Sequence, residues 1–326
     1  MRAVVITRPG GPEVLELRDV RPPEAGPGEI LVRVAAVGLN RADLLQRKGH
    51  YPAPEGVPAD IPGLEYAGEV AALGGGVKRW CVGDRVMGLV AGGAYAERLV
   101  TRADTALPVP DGWRWPEAAA VPEVFLTAYD ALVRQMRLAA GESVLVHAVS
   151  SGVGTAAVQL VKAWGARCLG TSRSADKLAR ALPLGLDVAI DTLRDDVAEV
   201  VKRETGGRGV DVVLDLVGGP VFEASVKALA HGGRMIVVGL TGGRSAPLDL
   251  GALLNKRLTI VGTTLRSRPA GEKAALARDF EREVLPLFSA ARLRPVLDRT
   301  FPMAEVAEGH RVMEANAHFG KLVLVW

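Results

Sequence analysis

Apolar and polar positions change rhythm twice along this chain of 326 residues. Up to about residue 120, short apolar stretches are separated by Gly and Pro: RAVVIT, VLELRDV, EILVRVAAV, YAGEVAAL, DRVMGLV and AYAERLV. Short strands with frequent turns predict a β-barrel or sandwich. Among them, residues 40–47 (NRADLLQR) have helical spacing with Asn40 at the start, and His50-Tyr51-Pro52 opens a Pro-rich loop. Residues 111–122 form a transition, and 124–135 (VFLTAYDALVRQ) predict the helix that enters a second domain. From Ser143 strands alternate with helices: SVLVHAV, ARCLGT, DVAID, VDVVLDLV, GRMIVVGL and LTIVGTT. Six such strands predict an α/β doubly wound parallel sheet, whose strand ends, notably Val217-Gly218-Gly219 and Gly239-Leu240, lie at the carboxyl edge where ligands bind. After Thr264 the alternation stops. One long helix over about 271–289, the stretch PVLDRTF, a helix near 303–315 and a final strand, KLVLVW, read as the completion of the N-terminal domain.

The stretch 143–177 carries the first chemical signal. An apolar strand leads into Ser150-Ser151-Gly152-Val153-Gly154, and TAAVQLVKAW then has helical periodicity. Small side chains let backbone N–H groups approach a pyrophosphate, and the open N–H groups at a helix N-terminus favour a phosphate. Against G-x-G-x-x-G, the first two glycines fall at Val149 and Ser151, and only Gly154 is in register with the third. After the second strand an NAD-preferring site has an acid for the ribose hydroxyls. Here Ser172 is followed by Arg173 and Lys177. Those cations attract the 2'-phosphate that an acid would repel, so the reading is NADPH over NADH.

Composition narrows the choice further. Hydrophobic residues make up 48% and charged residues 24%, with a formal charge of +3 and no basic block, so nucleic acid is not implied. No apolar run approaches the ~20 residues that cross a bilayer, and MRAVVITRPGGPEV lacks an apolar signal core, so neither a membrane nor export is expected. Cys81 and Cys168 are the only cysteines and form no close pair, which suits a reduced cytoplasmic protein. Scarce Asn and Gln beside plentiful Pro and Arg suit a heat-adapted source or a GC-rich genome.

GLNRADLLQRKGHYP, IPGLEYAGEV, VGDRVMGL, AAAVPEVFLTAYDAL, GESVLVHAVSSGVGTAAVQL, LRSR and NAHFGKLVL follow one another along the whole chain. In these motifs it resembles the medium-chain dehydrogenase/reductase superfamily, specifically the zinc-free quinone oxidoreductase branch that includes the zeta-crystallin-like enzymes. The resemblance implies a GroES-like β-rich catalytic domain from residues 1–122 and 266–326, a Rossmann NADPH-binding domain over 123–265, and NADPH in the cleft between them. It places Asn40, Thr127 and Asn316 near the nicotinamide. It gives Ser151, Gly152 and Val153 to the pyrophosphate and Arg173 and Lys177 to the 2'-phosphate. Val217, Gly239, Leu240, Leu265 and Arg266 would line the rest of the groove. Thr192 stands where many relatives have a Tyr against the adenosine, which weakens one contact that Arg173 or Arg194 would offset. A homodimer is implied, with the apolar sheet edge near 258–264 as its contact.

Two separated cysteines supply neither a catalytic nor a structural zinc pattern, the five histidines contain no HExxH pair, and Asn40 occupies the position of a cysteine ligand in zinc relatives. His147, inside the first strand of the second domain, reads as a hydrogen-bonded core histidine. Without a metal, the acceptor must take hydride easily, as a quinone or an activated alkene does, and one hydrogen-bond donor suffices for the charge that spreads over it. Tyr51 is the candidate donor, since a phenol of pKa ~10 stays protonated at neutral pH; packing on the Pro52 loop is its alternative role. Ser174-Ala-Asp-Lys177 matches S-x-x-K but sits at a helix start, where Ser caps. Expected is NADPH-dependent quinone reduction; the alternatives are enone or alkenal reduction on the same scaffold, or NADPH binding with little turnover.

Overall fold

The computed structural model describes the whole chain, Met1–Trp326. It divides into two compact units, Met1–Leu126 with Leu265–Trp326, and Thr127–Thr264. Those divisions fall between 126 and 127 and between 264 and 265, against 122/123 and 265/266 expected from the sequence.

The first unit begins with β1 (Arg2–Ile6), β2 (Leu15–Asp19), β3 (Glu29–Gly38), β4 (Glu65–Leu73), β5 (Arg85–Leu89), β6 (Arg98–Arg102) and β7 (Ala106–Pro108). Only β7 has no counterpart in the sequence reading. Its three residues are too few to carry a period, and its pairing with β5 defines it. Between β3 and β4 lies α1 (Arg41–Arg47), and after β7 come α2 (Trp115–Ala119) and α3 (Pro122–Tyr129). The expected 124–135 helix stops at Tyr129 and continues as a π-helical stretch, Asp130–Gln135.

The second unit contributes β8 (Ser143–Val146), α4 (Gly152–Ala163), β9 (Arg167–Ser172), α5 (Ala175–Ala181), β10 (Val188–Asp191), α6 (Val197–Glu204), β11 (Val210–Asp215), α7 (Gly219–Ala228), β12 (Leu229–Val237), α8 (Leu250–Lys256) and β13 (Thr259–Gly262). All neighbouring strands are parallel, in the order β10-β9-β8-β11-β12-β13. Counted within the unit that is 3-2-1-4-5-6, the doubly wound order. The central strand β8 is buried at every residue, as a strand covered by helices on both faces must be.

The chain then returns to the first unit through α9 (Ala270–Glu283), α10 (Leu285–Ser289), β14 (Leu297–Pro302), α11 (Val306–Glu314) and β15 (Lys321–Val325). The single helix expected over 271–289 is two helices divided at Val284. Pro286 lacks the N–H for a helical bond and its ring would clash with the preceding turn. β15 pairs antiparallel with β3, Val323 opposite Gly38 and Leu324 opposite Val37, so the C-terminal segment completes the sheet order β14-β15-β3-β4-β5-β7. Leu322 and Leu324 join Val32, Val34, Tyr66 and Phe301 in one apolar core.

Candidate active site

In the second unit, the predicted cofactor residues gather at the carboxyl ends of the parallel strands. After β8, Ala148 takes a left-handed φ of 54° and turns the chain into α4. Ser151 caps that helix: its Oγ accepts from Gly154 N–H at 3.0 Å and donates to Ala148 O at 2.8 Å. Gly154 is required by close approach, because a Cβ there would lie 2.3 Å from Ala148 O. The N–H groups of Gly152 and Val153 find no acceptor, and a twelve-residue helix aligns its dipole behind them. Just beyond β9, Arg173 is exposed and makes no ion pair or hydrogen bond, while Ser174 caps α5 by accepting from Lys177 N–H at 3.4 Å. Thr192 follows β10, its N–H and hydroxyl both donating to Ser172 O. After β11, Asp215 accepts from the N–H groups of Val217 and Gly218, shaping that turn, and Gly239 and Leu240 follow β12. Thr127 is buried at the start of the unit. His147 is a buried core residue bonded to Thr171 at 3.0 Å and Ser225 at 2.8 Å, and burial lowers its pKa to about 4.

In the first unit, Asn40 belongs to a buried polar cluster, and Tyr51 and Arg266 form a contact of their own. The Asn40 amide turns inward: Nδ2 donates to Gly38 O at 3.2 Å and to Glu65 Oε1 at 2.8 Å, while Oδ1 accepts from Lys321 Nζ at 2.8 Å. Lys321 also donates to Leu39 O and to Glu65 Oε1, each at 2.6 Å, with both side chains almost wholly buried. Gly38 permits this, since a Cβ there would lie 2.2 Å from Glu65 Oε1. Asp43 reaches back to accept from Asn40 N–H at 2.8 Å and from Tyr95 Oη at 3.0 Å; burial raises its pKa to about 6.

Glu65 Oε2 accepts from the backbone N–H of Glu123 at 2.8 Å. The Glu123 carboxyl itself is partly exposed and has neither a hydrogen bond nor an ion pair. Desolvation first, then the Glu65 and Asp43 carboxylates, raise its pKa to about 8 against the opposing pull of Lys321 and Arg266. Arg266 is spent on the protein: Nε donates to Ala91 O at 2.7 Å, Nη1 to Tyr51 O at 3.1 Å and Nη2 to Gln46 Oε1 at 2.5 Å. Its guanidinium carbon stands 4.8 Å from the centre of the Tyr51 ring. Burial raises the Tyr51 phenol above its ordinary value, with Arg266 opposing and Glu123 adding to the shift, so the phenol stays protonated. Leu265 is buried beside Arg266. Asn316 is separate from this cluster, exposed, left-handed at φ 53° and accepting from Arg41 at 2.6 Å.

Glu65, Glu123 and Lys321 were not singled out by the sequence reading. Glu123 at the start of α3 looks like any helix-start acid, which the dipole favours. Lys321 was the better signal, a lysine opening an otherwise apolar strand.

No group of three or more His, Cys, Asp or Glu side chains is placed to hold a metal ion. Around Asn40 and Glu65 the position between the oxygen donors is filled by the Lys321 ammonium, so these residues do not fit a zinc centre. The residues at the start of α4 do fit a nucleotide: two open N–H groups, a backbone close enough to exclude any side chain at Gly154, and the uncommitted Arg173 guanidinium one strand away.

This sheet order and turn are those of a doubly wound dinucleotide-binding fold, and comparison narrows the class. Residues 26–111 match the family described as alcohol dehydrogenase GroES-like domain, and residues 152–282 that described as zinc-binding dehydrogenase. A quinone oxidoreductase of Pseudomonas aeruginosa is 38% identical over 319 residues, covering 97% of each chain. The structure of an NAD-dependent alcohol dehydrogenase superposes with TM-score 0.90 at 35% identity over 100% of both chains. That of Escherichia coli quinone oxidoreductase complexed with NADPH does so with TM-score 0.89 at 31% identity, again over 100% of both. The chain belongs to the medium-chain dehydrogenase/reductase superfamily, in its quinone oxidoreductase family.

Proposed function

We propose that the protein is an NADPH-dependent quinone oxidoreductase that passes reducing equivalents to a small quinone without a metal. The observation that carries the cofactor assignment is the combination, on one sheet edge, of the open N–H groups of Gly152 and Val153 with the free guanidinium of Arg173. The first suits a pyrophosphate and the second a 2'-phosphate. When bound, the nicotinamide supplies hydride. Ser151, Gly152 and Val153 hold the diphosphate, Arg173 and Lys177 the 2'-phosphate, and Thr192, Val217, Gly239 and Leu240 flank the adenosine and ribose path. Thr127, Asn40, Leu265 and Asn316 belong to the nicotinamide end in this reading. The committed guanidinium of Arg266 holds the Tyr51 loop in place, and the Tyr51 phenol donates a hydrogen bond to the acceptor oxygen.

The half-exposed β13 ends the six-stranded sheet and offers a free edge for a second copy, which supports a homodimer. The unpaired thiols of Cys81 and Cys168 suit a cytoplasmic setting, and no helix is long and apolar enough to cross a membrane.

Steady-state oxidation of NADPH and of NADH with naphthoquinone, phenanthrenequinone and a short enone tests the reading. Quinone-dependent NADPH oxidation is expected. Tight NADPH binding with no turnover on any acceptor would refute the catalytic part, and enone turnover alone would move the protein to alkene reduction.

A further inference from the structure

Quinone reduction consumes a proton as well as a hydride, and the site described above contains few groups able to supply one. The ionisable side chains facing one another there come from six elements: Tyr51 from the loop after α1, Asp43 from α1, Glu65 from β4, Lys321 from β15, Arg266 from the segment after β13, and Lys273 from α9. Burial raises the Tyr51 phenol above its ordinary value, which suits it to donate a hydrogen bond and makes it a weaker acid. Glu65 is bonded to Lys321, Asn40 and the Glu123 backbone. Asp43 is wholly buried and accepts from Asn40 and Tyr95. Arg266 is locked into three backbone and side-chain acceptors, and Lys273 donates to Arg266 O at 2.7 Å. Glu123 alone combines partial exposure with a carboxyl that makes no hydrogen bond and no ion pair.

We propose that Glu123 is the acid of the site: protonated before turnover, its carboxyl gives its proton to one oxygen of the quinone while hydride from the reduced nicotinamide is delivered to the quinone. The carboxyl O–H bond breaks and a quinol O–H bond forms. The quinone gains two electrons, the nicotinamide loses two, and the Glu123 carboxylate regains a proton from water. The Glu65 and Asp43 carboxylates keep the proton on Glu123 near neutral pH by repulsion, and Lys321 and Arg266 moderate that effect, which brings the acid's pKa to about 8. An acid matched to the working pH is the most effective proton donor. The assignment rests on the quinone-reductase reading.

The test compares wild type with Glu123→Gln, which keeps the backbone bond to Glu65, and with Glu123→Asp. In the cofactor-free protein, infrared difference spectra between pH 5 and 10 are expected to show a protonated carboxyl band that titrates near pH 8 and is missing from Glu123→Gln. With NADPH and a naphthoquinone, Glu123→Gln is expected to lose at least about tenfold in kcat. It should also lose the wild-type fall in rate above pH 8, and Glu123→Asp should recover part of both. Wild-type kcat and pH profile in a folded Glu123→Gln, or no titrating band, would overturn the assignment alone. No wild-type quinone turnover would overturn the reading beneath it as well.

Discussion

Replacing Lys321 by Met probes the buried ion pair that organises the first unit. The ammonium makes three short bonds, to Glu65 Oε1, Leu39 O and Asn40 Oδ1, in a site where neither member of the ion pair is more than 4% exposed. Met fills much of the volume but leaves Glu65 buried, with only Asn40 Nδ2 and the Glu123 N–H as partners. The attraction between the two charges in so dry a site is large, but most of it offsets their desolvation. What the substitution exposes is the uncompensated carboxylate, worth about 3–5 kcal/mol. At 2–4 °C per kcal/mol for a unit of this size, that lowers Tm by roughly 6–20 °C. Denaturant unfolding followed by tryptophan fluorescence reports on the right place, because Trp80, Trp113, Trp115 and Trp326 lie in the first unit and only Trp164 in the second. The double variant Glu65→Gln/Lys321→Met should lose less than the sum of the single variants, since the orphaned charge is gone. A loss under about 1 kcal/mol for Lys321→Met, or strict additivity in the double variant, would refute the claim that the pair is coupled and dry.

Arg173→Ala removes a charge-assisted bond of about 1.5–3 kcal/mol, so NADPH should bind roughly tenfold to a hundredfold more weakly while NADH is little affected; an unchanged preference in fluorescence titrations assigns the 2'-phosphate elsewhere. Tyr51→Phe should lower kcat and leave cofactor affinity nearly intact, and wild-type rates on several quinones would reduce Tyr51 to packing on its loop. Glu123 also makes a signed prediction for stability. Its folded pKa, about 8, lies above the unfolded carboxylate value of ~4.3, so the folded state binds an extra proton between those limits. The stability this contributes is fully present below the unfolded pKa and is lost as pH rises through the folded one. Relative to wild type, Glu123→Gln should therefore gain up to about 1.4 kcal/mol per pH unit over that window and level off above it. Equal pH slopes in denaturant midpoints would contradict the raised pKa.

How far the sequence reached depended on how local each feature is. The strand and helix rhythm of residues 143–264, the small-residue turn at Ser151 and the cations after β9 are contiguous stretches, and each was legible because period, cap and charge act over a few residues. The β7 strand and the division at Val284 were not, since one rests on a three-residue pairing and the other on a single proline within an otherwise helical pattern. The polar cluster lay furthest from view. Asn40 and Lys321 are 281 residues apart and Glu65 and Lys321 are 256 apart, and no periodicity links such positions.

The sequence by itself determined the two kinds of domain, the winding of the parallel sheet and the small-residue turn that opens α4, because burial of apolar positions and helix-terminus chemistry follow from neighbours along the chain. Only the tertiary structure decided that an ammonium stands among Asn40, Glu65 and Leu39, that Arg266 braces Tyr51, and that burial and two carboxylates raise the pKa of Glu123. Those properties come from desolvation and from charges brought together across the fold, and the ammonium in particular reaches Glu65 only because the C-terminal strand pairs with β3.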